Sequence, residues 1–214
     1  MTAAKMPTIV HNYRDDGPLA TWLQRRLPLG ERIDPLALTI IGMLALGLVL
    51  LSADEVGALA VGAAAVFVIL AAGAGATEAR SRLAWMCPPL LRGFEYAVII
   101  RVTAMAAGDA MPACYALLGV LALHHYDMVY RLRHQSAPPP AWINAVGGGW
   151  DGRVLLVVVL GLIGGDVLTV VLIAVAAGLA VIYVTESVNG WRRYSAASAT
   201  GASVDFDDEG LEQG

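Results

Sequence analysis

Charge is scarce in this chain: of 214 residues only 15% are Asp, Glu, Lys or Arg, against 57% apolar residues. That balance argues against a solvated globular domain and for an integral membrane protein. Cysteine is scarcer still. Cys87 and Cys114 stand apart in or beside apolar runs, with no CxxC or Cys/His spacing. They read as small buried apolar residues, not as a disulfide framework or a zinc site. The first 30 residues lack the short apolar core and small-residue cleavage site of a secretory signal. The glycine triplet at 147–149 lacks the Walker lysine and the GxGxxG spacing, so it reads as a hinge and not as a phosphate loop. No inverted repeat is visible, which weakens a transporter reading.

What is abundant is long apolar sequence. Runs at 35–52, 56–74, 85–107, 110–130, 153–165 and 166–186 compare with the roughly 20 helical residues needed to cross ~30 Å of hydrocarbon. The last two require a break at Gly164-Gly165-Asp166, and the fifth is short unless it begins near Trp150. Six spans place Lys5, Arg14, Arg25, Arg26, Arg32, Arg80, Arg82, Arg131, Arg133, Arg153, Arg192 and Arg193 on one side, while the opposite turns hold Asp54, Glu55, Asp109 and Asp166. By the positive-inside rule that side is the cytoplasm. The expected fold is therefore all-α: a multi-pass protein of the cell inner (plasma) membrane, with six transmembrane helices and both termini cytoplasmic.

Three regions follow. Residues 1–34 form a cytoplasmic N-terminal segment with a short interfacial amphipathic helix, in which Asp16 caps the start ahead of Pro18 and Leu19, Trp22, Leu23 and Leu27 share one face. Residues 35–191 form the membrane domain. Residues 192–214 form a tail that is expected to be disordered, because its small, polar and acidic residues offer little apolar surface to offset ordering entropy. Small residues such as Gly42, Gly47, Gly57, Gly62, Gly73 and Gly178 allow close helix contacts within the protein or across a homodimer.

The candidate site is a set of ionisable residues on the third and fourth spans. Arg92 and Glu95 sit one turn apart, and His124, His125, Asp127, Arg131 and Arg133 crowd the end of the next span. Ionisable groups at membrane depth cost about 2.5–3.5 kcal/mol each on insertion scales, which makes such a cluster a site hypothesis. His124, Asp127 and Arg131 share a helix face, and Asp127 to Arg131 is ion-pair spacing. Arg92, Arg131 and Arg153, flanked by Tyr96, Tyr126 and Tyr130, suit a phosphate or lipid head group. Pairing that only holds helices together, and catalysis or proton transfer, remain the other readings. His124 and His125 are adjacent and point about 100° apart, so they do not form a helical metal pair. Trp142, Trp150 and Trp191 suit the membrane interface, and Arg101 can snorkel outward.

The segments PPLLRGFEY at 88–96, HHYDMVYRLR at 124–133, PPAW at 139–142, GWDGR at 149–153 and ESVNGW at 186–191 together resemble an actinobacterial membrane domain of uncharacterised function. That domain is commonly fused behind a CDP-alcohol phosphatidyltransferase domain, and the resemblance runs from about Asp15 to Trp191. The fusion implies an accessory role beside such an enzyme in phospholipid or head-group metabolism. The phosphatidyltransferase pattern D-G-x2-A-R-x8-G-x3-D-x3-D has a partial echo in Asp16, Gly17, Ala20, Gly30 and Asp34, but Thr21 replaces its arginine and Leu38 its last aspartate. Two aspartates fall short of what two metal ions and a base require.

The reading is thus an accessory membrane protein, non-catalytic in the favoured form, that binds a phosphate-bearing lipid through Arg92, Glu95, His124, His125, Asp127, Arg131 and Arg153. Expected partners are membrane lipids, a CDP-alcohol phosphatidyltransferase and a second copy of the chain, with no nucleic acid. No cofactor or metal is expected. The alternatives are a phospho-alcohol transferase with His124 or Asp127 as base and a divalent metal, and a small lipid or solute transporter.

Overall fold

The computed structural model describes residues 13–75, 83–135 and 139–200. Its helices are α1 (Pro18–Arg26), α2 (Pro35–Ser52), α3 (Ala58–Gly75), α4 (Cys87–Ala106), α5 (Met111–His134), α6 (Ala141–Gly147), α7 (Gly149–Ile163) and α8 (Gly165–Thr200), with short 3-10 turns between several of them. No strand occurs among the described residues. Proline stands at or beside the first helical position of α1, α2, α4 and α5, where its fixed φ is compatible and its missing N–H costs nothing.

Four helical stretches are apolar and long enough to cross a membrane: Pro35–Ser52, Ala58–Gly75, Ala141–Ile163 and Gly165–Ala196. The other two stretches expected to span are helical, as α4 and α5, but Arg92, Glu95 and Arg101 interrupt the apolar run of the first and His124, His125 and Asp127 that of the second. The short fifth run is completed from its N-terminal side: α7 starts at Gly149, just before Trp150, and α6 precedes it with only Gly148 between. Gly148 and Gly149 have φ of 75° and 60°, and Gly164, at φ 147°, separates α7 from α8. Backbone of that kind favours glycine. The triplet thus forms the corner between two helices.

Contacts fix relative directions. Gly47 lies against Phe94, and Arg101 reaches the far end of α2, so α2 and α4 run the same way. Glu95 meets Arg153 and Val102 meets Gly161, so α4 and α7 are also parallel. His124, Asp127 and Arg131 meet Tyr183, Ser187 and Glu186, which sets α5 parallel to α8. The core between them is mainly aliphatic, with Phe67 fully buried against the rings of Phe94 and Trp150 at centroid distances of 4.9 and 5.3 Å. Cys87 and Cys114 are buried and unbridged.

Several local expectations change. Trp150 is fully buried, not interfacial, whereas Trp142 is exposed. Arg101 donates from Nε to the carbonyl of Leu50 (3.0 Å) and from Nη2 to that of Ala53 (2.9 Å), closing the open C-terminal carbonyls of α2 in place of snorkelling. In α1 the apolar residues divide: Ala20 and Leu23 are buried, and Leu19, Trp22 and Leu27 stay exposed. Asp16 does not cap α1. Asp151 does so from α7, accepting from the amides of Gly17 (2.7 Å) and Ala20 (2.9 Å). α8 runs on to Thr200, past the boundary drawn from composition; the acidic stretch from 201 onward lies outside the described residues.

Candidate functional site

The N-terminal segment enters the bundle and supplies the centre of the site. Asp15, in a left-handed backbone conformation (φ 56°) that non-glycine residues seldom adopt, is 2% exposed. Its carbonyl accepts from the Trp150 amide at 3.2 Å. Its Oδ2 accepts from Arg153 Nη2 at 2.6 Å and lies 3.1 Å from His125 Nε2, while Oδ1 lies 3.7 Å from His124 Nε2. The last distance is too long for a hydrogen bond, and both of its atoms lack a partner.

Arg153 joins three elements. Its Nε donates to Glu95 Oε1 at 2.5 Å and its Nη1 to the Gly147 carbonyl at 3.0 Å, in addition to the bond to Asp15. Glu95 and Arg153 are buried. Charges at this depth persist only where they are paired and hydrogen-bonded. Tyr96 Oη lies 2.8 Å from His125 Nδ1, so His125 bridges a phenol and a carboxylate. His124 stacks on Tyr183 at 4.0 Å between centroids. Adjacent on one helix, the two imidazoles nonetheless converge on one carboxylate. Arg92, expected beside Glu95, instead donates from Nη2 to the Tyr13 carbonyl at 2.6 Å and tethers the N-terminal segment.

Asp127 and Arg131 belong to a second group. Their expected ion pair forms, with Arg131 Nε 2.8 Å from Asp127 Oδ2, although the nitrogen is out of line for a hydrogen bond. Arg131 Nη1 donates to Glu186 Oε1 at 2.9 Å, and Asp127 Oδ1 accepts from Ser187 Oγ and Trp191 Nε1, each at 2.9 Å. The seven residues read from sequence therefore divide: Arg92, Glu95, His124, His125 and Arg153 surround the N-terminal segment, and Asp127 and Arg131 bind α8. Asp15, Asp151 and Tyr183 were missed. Their visible signals were the pair Asp15-Asp16 ahead of α1 and, for Asp151, the GWDGR segment at 149–153. Asp16 is held by Arg14, Gln24 and Trp150, and Asp34 caps α2, so both aspartates of the phosphatidyltransferase echo have structural partners. Among the described residues no group of three His, Cys, Asp or Glu is placed to hold a metal ion.

A cavity of about 480 Å³ adjoins this centre, lined by Asp15, Asp16, Thr21, Trp22, Arg25 and Asn144 among others. Beside it, burial pushes the Asp15 carboxyl up, but the Arg153 guanidinium and the two imidazoles outweigh burial and hold it well below the usual carboxylate range. The sign follows from linkage: with the folded value depressed, Asp15 contributes stability at neutral pH that fades as pH drops from about 4 through the folded value. Unfolding midpoints measured from pH 7 to pH 3 are expected to fall more steeply for the wild type than for Asp15→Asn. Parallel curves would show that this carboxylate does not carry the acid dependence.

No curated protein matches the chain. Nor does any solved structure. A family of unknown function, DUF5941, matches residues 5–209, so nearly the whole chain, including every residue of both clusters, belongs to that family.

Proposed function

We propose that the protein spans the membrane six times, with its basic end in the cytoplasm, and holds a phosphate-bearing lipid by its head group in the cavity between α1, α5 and α6. The observation that supports this most is the lining of that cavity. Arg25 and Asn144 offer donors suited to a phosphate, and Trp22 contributes an exposed apolar surface. The donors of Arg153 that face Asp15, Glu95 and Gly147 are already committed. That gives the arginine a structural task and moves head-group binding outward, to Arg25.

Arginines at one end of the bundle support the orientation. Arg14, Arg92, Arg131 and Arg153 make their contacts with residues 13–15, 71, 95, 127, 147 and 186 there, and the turns around Asp54, Asp109 and Asp166 lie at the other end of the same helices. An accessory role beside a CDP-alcohol phosphatidyltransferase rests on the resemblance of the motif segments alone.

Mass spectrometry of lipid retained by protein purified in mild detergent tests the reading. One phospholipid class is expected to be enriched over the bulk membrane, and Arg25→Ala with Asn144→Ala is expected to lose most of that enrichment. Unchanged lipid in the double variant would remove the cavity as the binding site. A CDP-alcohol phosphatidyltransferase recovered in the same preparation from the native host would support the partnership.

A further inference from the structure

The end of α5 and the adjoining turns of α8 form a separate recess of about 210 Å³, lined by Tyr126, Asp127, Tyr130 and Trp191. Tyr126 and Tyr130 follow at i, i+4 and stack with centroids 5.9 Å apart at 29°, and Trp191 stands 5.4 Å from Tyr130 at 57°. The two tyrosine faces are thus nearly parallel and the Trp191 ring is set at an angle to that of Tyr130, beside the Asp127 carboxylate. Asp127 is fixed beneath them by Ser187 and Trp191, and Arg131 is shared between Asp127 and Glu186. The buried group holds two carboxylates and one guanidinium, and Arg193 is 3.9 Å from Glu186 but exposed. His134 packs on Tyr130 at 4.2 Å.

Aromatic faces attract cations through their quadrupoles, and bulky alkylated ammonium ions gain most because they give up little hydration. The Asp127 carboxylate supplies charge, with Oδ1 occupied by Ser187 and Trp191 and Oδ2 held 2.8 Å from Arg131 Nε, so both oxygens already face groups of the protein. Those two properties favour a cation without N–H donors over a phosphate or a sugar hydroxyl. We propose that this recess binds a quaternary ammonium group, from a choline-type lipid head group or from a free solute. The proposal uses none of the cavity residues around Arg25, so either can fail alone.

The full chain in a maltoside detergent would be titrated with tetramethylammonium by calorimetry, with 3,3-dimethylbutan-1-ol as the neutral, similarly shaped control. Saturable binding of the cation alone is expected, about tenfold weaker in Tyr126→Ala and in Trp191→Ala and retained in Tyr126→Phe. Tyr126 is 67% exposed, so its removal leaves the core intact should Trp191→Ala fail to fold. Repeating the titration in nanodiscs of choline-headed and of glycerol-headed phospholipid separates the sources. Suppression in the choline-headed discs alone assigns the site to lipid, and equal binding in both assigns it to a solute. Absence of saturable binding, equal binding of the neutral control, or full affinity in Tyr126→Ala would overturn the proposal.

Discussion

Arg153→Met is expected to lower the stability of the folded protein by about 3–5 kcal/mol, the loss typical when one member of a buried ionic group is removed and its partners stay behind. Asp15 and Glu95 would then face each other's charge without the guanidinium that now bonds both, and the Gly147 carbonyl would lose its donor. Side-chain volume is nearly conserved, so the change reports charge and hydrogen bonding more than a cavity. Thermal unfolding in detergent, with the monodisperse fraction on a sizing column, measures it. Glu95→Gln in the same background is expected to recover part of the loss by removing one of the two stranded carboxylates. A drop of less than about 1 kcal/mol, the range of an exposed pair, would mean that water reaches this arginine.

Gly149→Ala is the second large effect. At φ 60° the added methyl is strained by roughly 1–3 kcal/mol in its own right, and it would also overlap the backbone of Gly17. The corner cannot yield easily, because Trp150 next to it is fully buried and bonds both the Asp15 carbonyl and the Asp16 carboxylate. The N-terminal segment must therefore leave. Limited proteolysis is expected to cut near Arg14 in the variant and to spare the wild type, while α2 to α5 remain folded. Equal protection in both proteins would show that residues 13–17 are held by contacts other than this corner.

The helices were legible in the sequence because apolar runs bounded by proline, glycine and acidic turns leave few alternatives. The break at Gly164 and the ion pair of Asp127 with Arg131 followed from local spacing alone. The site was legible in half. Glu95, His124, His125 and Arg153 announce themselves as polar groups in apolar surroundings, but Asp15 lies in a polar stretch where a carboxylate is unremarked. Its partners are up to 138 positions away, and no helical or strand period connects residues so separated. The same distance hid the cap on α1: Asp16 is the nearest carboxylate in sequence, yet Asp151 performs that task. Glu186 could be placed beside Arg131 only once α5 and α8 were known to be neighbours.

The separation has a consequence during synthesis. Residues 15–20 leave the ribosome long before Trp150, Asp151 and Arg153, so for the time taken to translate more than half of the chain this segment has none of these three partners. At about 5–20 residues per second that wait lasts roughly 7 to 28 seconds. Only when α7 is in place does the early segment find its seat, and closing so long a loop comes late for entropic reasons. A nascent chain halted before Gly149 thus displays the N-terminal stretch to proteases, and a completed one withdraws it. The buried aspartate acts as a seal whose engagement records that translation has passed the start of α7.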